Sequence, residues 1–557
     1  MRPISWSTVG AFAAYACASC FYFGYPVVRH PGRDLIGTGV DVDLFTWALG
    51  WWPHAILHWQ NPIVTHAIWA PEGVNLAWTT SVPGLALLVA PVTLLAGPVV
   101  SYNLLAVALP ALAAWTGFLL CRYVTHSFWP SLAGGYLFGF SSYELGQTEG
   151  HLHLTSIFLL PLVVLVLLRF LDGSLSRRRT VVWLGLLLAL QLSFSFEITL
   201  MLTTAIVIGF LVAFGTSPSI RPGLRRLPFV LAGAYLVAAA IDSPLLAYAL
   251  LHLERHSINS PVQFPADLLN LVVPTRLTWI SWSWTRSLSG RFGGNASENG
   301  AYLGIPLIAI LGWFFWEKRV QPAARFLFAM LILGVVAELG TALHIEGKSY
   351  ASAPWGLVSS LPFYNNILPV RFSGFVALGA AVTAASWSAS SRAPRLVRAA
   401  LPGAALIAIA PSLWLGVWHW HPRRVSFFAD GTYRICLQPN ENVVMLPAPN
   451  WNDAMLWQAE AGYSYRMAEG YVSPALPPNV PDTPYALKLL ANNRGNDWRP
   501  LVKFAKATHA TMLILEEGHG ESWTTMLAPI TTPTEIGGVV LYSLRPNGRS
   551  TCTSGSG

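Results

Sequence analysis

The stretch "TGVDVDLFTWALGWWPHAILHW" (residues 38–59) places two carboxylates just before a segment dense in tryptophan. From Phe45 onward, apolar residues recur at helical spacing, which predicts a helix lying in the membrane interface with one face in lipid. Pro53 predicts a kink in this helix. Asp43 fits its N-cap, where the carboxylate accepts the first backbone N–H groups. A cap needs one acid, so Asp41 needs another explanation.

The composition indicates a polytopic α-helical membrane protein. Of the 557 residues, 54% are hydrophobic and 11% are charged, and the mean hydropathy is +0.48. Soluble domains carry roughly a quarter charged residues. The net charge of +8 comes from short basic clusters between apolar runs. This pattern indicates membrane topology and argues against a nucleic-acid partner.

Apolar runs long enough to cross roughly 30 Å of hydrocarbon recur along the chain. We count eleven, near residues 5–28, 100–121, 128–142, 154–171, 180–195, 197–214, 227–250, 301–316, 325–343, 372–390 and 399–418. The segment 81–97 is apolar but short, and it carries Pro83 and Pro91. We interpret it as re-entrant or interfacial, which makes residues 30–99 one long outer loop that carries the Asp-x-Asp motif.

The basic clusters predict the orientation of the chain. With eleven spans, the Lys and Arg residues within 169–179, 221–226, 318–325 and 392–398 all fall on one side. Since cytoplasmic loops carry the excess of Lys and Arg, that side is the cytoplasm. The sequence therefore predicts a multi-pass protein of the cytoplasmic (inner) membrane, with a cytoplasmic N-terminus and an extracytoplasmic C-terminal domain.

The character of the chain changes after the last predicted span. Residues 1–420 form the predicted transmembrane domain, and residues 421–557 have turns and an ordinary charge density. The segment "WRPLVKFAKATHA" (498–510) predicts an amphipathic helix. Predicted strands are "NVVMLPAP" (442–449), "TMLILEE" (511–517) and "GVVLYSL" (538–544). We expect a small α/β domain, in which Cys436 and Cys552 could form a disulfide outside the reducing compartment.

This arrangement resembles the GT-C glycosyltransferases, which take sugar from a polyprenyl-phosphate carrier. The shared features are an N-terminal span, an acid in the first outer loop, a helix after it, many further spans and an outer C-terminal domain. More narrowly, the membrane part resembles a bacterial subgroup of GT-C-like proteins. The runs that carry this resemblance are "GVDVDLFTWALGWWPHAI", "NPIVTHAIWAPEGVNLAW", "FSSYELGQTEGHLHL", "PADLLNLVVPT", "SENGAYLGIPL" and "LPVRFSG".

The resemblance implies a role for the acids of the first outer loop. In GT-C enzymes such an acid is the base for the acceptor hydroxyl, or it holds a divalent metal against the donor phosphate. Asp41 matches that acid best, with Asp43 as its helper. If residues 40–43 are extended, both carboxylates point to one face and could share Mg²⁺ or Mn²⁺. If Asp43 starts a helix, Asp41 remains as the base.

Further polar residues form candidate contacts with substrates. Arg371 follows Pro369 at the start of a span, at headgroup depth, where a guanidinium could bind the donor phosphate. The alternative is an ordinary snorkelling arginine. Candidates for the acceptor and substrate cavity are Glu144, His151, His153, Glu197, Asp267 and Glu298. For the histidines, the alternative is an anchor at the membrane interface.

Together these features predict a glycosyltransferase that inverts the anomeric carbon in a single displacement. Its predicted partners are a polyprenyl-phosphate sugar, membrane lipid, and a glycan, lipid or protein acceptor. The alternatives are a ligase or polymerase that uses a polyprenyl-pyrophosphate donor, and a non-enzymatic transporter or scaffold for lipid-linked sugars. The sequence contains no P-loop, no G-x-G-x-x-G motif and no nucleophile elbow, so hydrolysis of a nucleotide is not expected to drive the reaction.

Overall fold

The fold is predominantly helical and divides into two compact units. The computed structural model describes residues 6–251, 262, 264–413, 416–472, 476–477, 479–493, 495–518, 521–545 and 552. The first unit comprises Met1–Arg29, Asn103–Ser243 and Arg255–His419. The second unit comprises His30–Tyr102, Pro244–Glu254 and Trp420–Gly557. The unit that holds the C-terminal residues therefore also holds the whole predicted outer loop, residues 30–99.

The α-helices of the described residues are numbered in chain order. They are α1 (Trp6–Ser19), α2 (Val40–Leu57), α3 (Pro83–Leu88), α4 (Ala90–Ala96), α5 (Pro98–Thr125), α6 (Phe128–Gly139), α7 (Ser142–Gln147), α8 (Leu159–Leu171), α9 (Arg177–Phe194), α10 (Phe196–Thr216), α11 (Arg221–Leu224), α12 (Leu227–Ile241), α13 (Ser243–Leu251), α14 (Ser283–Ser289), α15 (Ile305–Lys318), α16 (Pro322–Glu338), α17 (Ser373–Ser390), α18 (Arg395–Ile409), α19 (Ser426–Ala429), α20 (Tyr433–Cys436), α21 (Ala454–Glu460), α22 (Thr483–Leu490), α23 (Arg499–Ala507) and α24 (Glu521–Leu527).

Some of these helices are long and apolar enough to cross a membrane. Among the described residues they are α5, α10 and the segment Pro369–Ser390, in which a 3₁₀ turn leads into α17. Pro218–Leu224 and Leu227–Ile241 would add a fourth if this bent pair is one span. The segment 81–97 holds two short helices, α3 and α4, instead of one continuous helix. The protein is thus a helical, multi-pass membrane protein, and the count of eleven spans stays a prediction.

Small residues allow the helices of the first unit to approach closely. The helix α9 packs against α12 and α6 packs against α17. A Cβ added to Gly185 in α9 would lie 2.6 Å from Val237 of α12. A Cβ on Gly134 in α6 would lie 3.1 Å from the carbonyl oxygen of Ala381 in α17. Close packing at small residues is how helices associate where lipid removes the hydrophobic driving force.

The strands form two short hairpins and one five-stranded sheet. The strands are β1 (Val64–Thr65), β2 (Val74–Asn75), β3 (Ala342–Ile345), β4 (Lys348–Ser352), β5 (Asn442–Leu446), β6 (Arg466–Met467), β7 (Met512–Glu516), β8 (Thr534–Ile536) and β9 (Val539–Ser543). The larger sheet has the order β6-β5-β7-β9-β8, with β5 parallel to β6 and β7, and β9 antiparallel to β7 and β8.

The C-terminal elements agree with the sequence-based expectations. The three predicted strands correspond to β5, β7 and β9, and β7 and β9 are buried along their whole length. The predicted amphipathic helix is α23, which buries Leu501, Phe504 and Ala505. Cys436 and Cys552 form a disulfide, which confirms the expected pairing. The second unit thus contains an α/β sheet structure, whereas its extracytoplasmic position stays a prediction.

The tryptophan-rich helix α2 does not lie with one face in lipid. Trp47 donates its indole N–H to the side-chain oxygen of Gln458 at 2.8 Å, and its carbonyl oxygen accepts the hydroxyl of Tyr463 at 2.7 Å. Trp51 stacks on Trp47 at 5.6 Å between ring centroids. Nearly every residue between Val42 and Ala55 is buried. The prediction of an interfacial helix was therefore wrong, because the residues from Val42 to Pro53 are buried on every face of the helix.

The segment after α2 also pairs with C-terminal backbone. Met467 donates its N–H to the carbonyl of Ala67 at 2.8 Å, and Ala70 donates to the carbonyl of Met467 at 2.9 Å. The amide nitrogen of Gln458 adds a bond of 2.7 Å to the carbonyl of Ala67. Residues 30–102 and the C-terminal residues therefore share backbone bonds as well as a core.

We expect loss of the disulfide to destabilise the second unit. The bond joins cysteines 116 residues apart, and removing a native disulfide commonly costs about 2–5 kcal/mol. The double substitution Cys436→Ser/Cys552→Ser should lower the melting temperature of the detergent-solubilised chain, as should a reductant. Cys17, an exposed free cysteine in α1, supplies the control Cys17→Ser, which should melt like the parent. An unchanged melt of the double variant would contradict this expectation.

Candidate functional site

The two acids of the Asp-x-Asp motif lie in the first turn of α2. The N-cap is Gly39, whose φ of 89° favours glycine. Asp43 is therefore not the N-cap, and this prediction was wrong. Residues two apart on a helix do not face each other, so Asp41 and Asp43 point to different sides. The predicted Mg²⁺ or Mn²⁺ shared by both carboxylates rested on extended backbone, and it stays a prediction that this helical geometry does not favour.

Asp41 is half-buried and meets a residue from the C-terminal sequence. Its Oδ1 accepts the hydroxyl hydrogen of Tyr471 at 3.0 Å. Burial and the charge of Asp41 both raise the pKa of Tyr471 above its ordinary value, so the hydroxyl stays protonated and acts as the donor. The hydrogen bond stabilises the ionised form of the carboxylate. Asp41 is thus a half-buried carboxylate that accepts one hydrogen bond favouring its ionised form.

Asp43 has a different environment from Asp41. The residue is 2% exposed, and its side chain shares a hydrogen bond with Asp453. Burial raises the pKa of Asp43 well above its ordinary value, and the negative charges of Asp453 and Glu460 add to the effect. Asp453 accepts the backbone N–H of Arg423 at 2.5 Å, which favours the negative charge on Asp453. Asp43 is therefore the protonated member that donates the shared hydrogen bond.

Two arginines balance part of the negative charge of the other carboxylates near Asp43 and Asp453. Arg423 forms an ion pair of 3.0 Å with Glu516, and Arg424 lies 4.0 Å from Glu460. Burial and the neighbouring acids raise the pKa of Asp453 and of Glu460 as well. A proton kept on the Asp43 and Asp453 pair lowers the negative charge that this buried cluster would otherwise carry.

In the first unit, Arg371 joins two of the predicted cavity acids. It lies in the 3₁₀ turn Pro369–Phe372, and the whole residue is 7% exposed. Its Nε donates to Glu298 Oε2 at 3.1 Å and its Nη2 donates to Glu298 Oε1 at 2.5 Å. Its Nη1 donates to Glu197. The snorkelling alternative was wrong, because the guanidinium is buried between carboxylates. A donor phosphate would have to compete with these carboxylates for the same fork.

Gln147 connects this ion-pair cluster to His151. Its amide nitrogen donates to the carbonyl of Ser297 at 3.0 Å and to Glu298 Oε2 at 3.4 Å. Its amide oxygen is 2.7 Å from His151 Nδ1, which must therefore carry the hydrogen. Burial opposes ionisation of Glu298, but Arg371 and these contacts lower the pKa of Glu298 below its ordinary value. Sequence reasoning missed Gln147, although its spacing of four residues from His151 was a usable signal.

Glu144 and His153 are buried near this cluster in uncharged form. Glu144 is 0% exposed in α7, and neither of its carboxyl oxygens has a hydrogen-bond partner among the described residues. Burial raises the pKa of Glu144 well above its ordinary value. Burial also lowers the pKa of His153, and repulsion from Arg371 lowers it further. Burial therefore favours the neutral form of both groups, which suits hydrogen bonding to a neutral partner better than binding of an ion.

Asp267 has a structural position in the first unit. Its Oδ1 accepts the N–H of Leu269 at 3.0 Å as the N-cap of a 3₁₀ turn. Its Oδ2 accepts the N–H of Gly347 at 2.7 Å, which ties the turn to the loop between β3 and β4. Both carboxylate oxygens of Asp267 thus accept hydrogen bonds from backbone N–H groups. Of the predicted cavity residues, the structure joins Glu197, Glu298 and His151 through Arg371 and Gln147, and it gives Asp267 separate partners.

Comparisons with known proteins identify the fold. Residues 12–359 match DUF6311, described as a domain of unknown function. No curated protein matches the sequence closely enough to count as a relative. The arabinofuranosyltransferase AftD from mycobacteria superposes with a TM-score of 0.57 at 14% identity, over 98% of this chain and 40% of AftD. This chain thus spans less than half the length of AftD.

Two further solved structures share the architecture. The oligosaccharyltransferase AglB from Archaeoglobus fulgidus, in complex with an inhibitory peptide and a dolichol-phosphate, matches with a TM-score of 0.54 at 12% identity, over 92% of this chain and 69% of AglB. ArnT from Cupriavidus metallidurans in the apo state matches with a TM-score of 0.50 at 13% identity, over 97% of this chain and 98% of ArnT. The chain therefore shares the fold of these three structures, as the resemblance to the GT-C glycosyltransferases predicted.

The protonated Asp43 makes the stability of the chain depend on pH. The pKa of Asp43 in the folded protein lies above the ordinary value of 3.8. At a pH between these two values, unfolding releases the proton of Asp43, so the free energy of unfolding falls as pH rises. The variant Asp43→Asn can still donate to Asp453 but has no proton to lose. As pH rises above the ordinary pKa of 3.8, its melting temperature should therefore fall less than that of the parent. The matched control is Asp430→Asn, at an exposed aspartate of the same unit. If the melting temperature of Asp43→Asn fell with pH as steeply as that of the parent, Asp43 would not be protonated in the folded protein.

Arg371 should be needed for stability of the first unit. Removing one partner of a buried ion pair costs about 3–5 kcal/mol, because it leaves an uncompensated charge. Arg371→Met should lower the melting temperature strongly, and Arg371→Lys should lower it less, since lysine keeps the charge but not the fork. The control Arg276→Lys alters an exposed arginine 3.6 Å from Glu149 and should be nearly silent. If Arg371→Met melted like the parent, the ion pairs would contribute nothing measurable.

Proposed function

We propose that this chain, which belongs to the DUF6311 family and has the GT-C fold, is a membrane glycosyltransferase. It would move a sugar from a polyprenyl-phosphate donor to a hydroxyl of a glycan, lipid or protein acceptor. The fold shared with AftD, AglB and ArnT supports glycosyl transfer from lipid-linked donors. The observation that carries the proposal is the half-buried Asp41, held by Tyr471 at the start of α2.

Asp41 is the proposed general base. The acceptor oxygen attacks the anomeric carbon, the bond from that carbon to the phosphate oxygen breaks, and the acceptor proton passes to Asp41. One displacement inverts the anomeric carbon and needs one base, because the phosphate leaves with its own negative charge. Base catalysis requires an ionised group, and Asp41 fits this requirement better than Asp43, whose proton is held by burial. We therefore assign to Asp43 a supporting role, in which it positions the first turn of α2.

The residues of the first unit are proposed substrate contacts. Arg371 is the candidate for binding the donor phosphate, with Glu197 and Glu298 leaving the guanidinium fork in part when the phosphate arrives. Glu144, His151 and His153 are candidates on the acceptor side, where their oxygen and nitrogen atoms would bind sugar hydroxyls. A divalent cation such as Mg²⁺ or Mn²⁺ remains a further candidate, since carboxylate oxygens are its preferred protein ligands.

The proposed location is the cytoplasmic membrane, with the N-terminus inside and residues 421–557 outside. The positive-inside distribution of Lys and Arg supports this orientation. The disulfide between Cys436 and Cys552 supports it independently, because disulfides persist in oxidising compartments. Transfer of a whole glycan from a polyprenyl-pyrophosphate is the second candidate, and the likeness to the oligosaccharyltransferase AglB favours it.

Replacement of Asp41 tests the proposed reaction. Asp41→Asn keeps the size of the side chain but cannot accept the proton, so turnover should fall by about 10²- to 10⁴-fold while donor affinity stays close to that of the parent. The assay measures sugar transfer from a synthetic polyprenyl-phosphate donor to acceptors in a membrane extract. Asp430→Asn is the matched control. Full transfer by a well-folded Asp41→Asn protein would overturn the base assignment and favour a transporter or scaffold.

A further inference from the structure

Tyr471 reaches Asp41 from a rigid segment of the second unit. The chain leaves β6 at Met467, where backbone bonds to Ala67 and Ala70 hold it on one side. On the other side, Ala468 donates its N–H to the carbonyl of Val443 in β5 at 2.8 Å. The segment that ends in Tyr471 is thus held between the sheet and residues 67–70.

Two further contacts hold the residues just before Tyr471. Trp69 donates its N–H to the carbonyl of Glu469 at 3.3 Å, and Glu469 accepts the N–H of Met445 through its side chain. A Cβ added to Gly470 would lie 2.8 Å from the Cβ of Ile68, so this position needs glycine for the backbones to approach. The backbone in front of Tyr471 therefore has little freedom to move.

We propose that Tyr471 is a positioning residue for Asp41, an inference that rests on the proposed function. The terminal torsion of an aspartate is broad, so a carboxylate without a fixed partner would sample many orientations. The hydroxyl of Tyr471, 3.0 Å from Oδ1, selects one orientation. It also favours the ionised carboxylate, which is the form that accepts a proton. The C-terminal sequence thereby contributes directly to the state of the base.

Tyr463 provides a matched control for this inference. Its hydroxyl also reaches α2, but it donates to the backbone carbonyl of Trp47 at 2.7 Å and so supports only the packing of the helix. Tyr471→Phe and Tyr463→Phe each remove one hydroxyl that binds α2. A purely structural role for Tyr471 would make the two variants alike, with changes in melting temperature and no change in the pH dependence of kcat.

The test compares the full-length variants in the sugar-transfer assay across pH. Tyr471→Phe should lower kcat by about tenfold or more, because hydrogen bonds to charged groups are among the stronger ones. It should also move the acidic limb of the kcat profile to higher pH, with KM for the donor nearly unchanged. In the Asp41→Asn background the same change should have little further effect. Tyr463→Phe should keep the parental pH profile.

The outcomes separate this inference from the proposed function. If Asp41→Asn is inactive while Tyr471→Phe keeps the parental kcat and pH profile, the positioning role is overturned and the base assignment stands. If Asp41→Asn is fully active, the proposed function itself fails. Should Tyr471→Phe melt below the assay temperature, the parent, Tyr471→Phe and Tyr463→Phe are compared at a lower temperature at which all three are folded. A parental kcat and pH profile of Tyr471→Phe at that temperature would overturn the positioning role.

Discussion

The burial of α2 is the constraint on which the acid site depends. A buried indole N–H needs an acceptor, and Trp47 finds it in Gln458, 411 residues further along the chain. Tyr463 then binds the carbonyl of the same tryptophan, and Trp51 stacks on its ring. Because protein surrounds the helix, the helix can neither rotate nor slide without breaking these bonds. The directions of the two acids in its first turn are fixed as a result.

The two units keep buried carboxylates by different means. In the first unit, a guanidinium between Glu197 and Glu298 supplies hydrogen bonds and opposite charge. In the second unit, Asp43 stays protonated and donates to Asp453, so the pair carries one negative charge instead of two. An isolated ionised carboxylate would be far more costly to bury. The first arrangement relies on a buried cation, whereas the second depends on a proton.

Local sequence patterns were sufficient to predict the strands β5, β7 and β9 and the helix α23. The segments predicted as strands correspond to β5, β7 and β9, although these strands are buried along most or all of their length instead of at alternate residues. The amphipathic spacing identified α23 because it records the burial of one helix face. The same reasoning failed for α2, since apolar residues at helical spacing look alike whether the helix faces lipid or protein. The GT-C fold followed from a resemblance over most of the membrane part and not from periodicity.

The contacts of the candidate site could not be predicted from sequence because their partners are distant. Arg371 meets Glu298 across 73 residues and Glu197 across 174, so the sequence showed only a basic residue before a span. Asp43 meets Asp453, another acid, whereas sequence patterns favour pairing of opposite charges. Gln147 carries no charge and drew no attention, although it links His151 to Glu298.

Backbone conformation decides what an Asp-x-Asp motif can do. On a strand, alternate residues share a face, and the two carboxylates would be near-equivalent ligands for one cation. On a helix the same spacing separates them, so each acid takes the chemistry of its own surroundings. Asp41 is half-buried and receives a hydroxyl hydrogen bond that favours its charge. Asp43 is buried beside another acid, which favours its proton. One acid is thus prepared to accept a proton and the other to retain one, although the sequence presents them as a symmetrical pair.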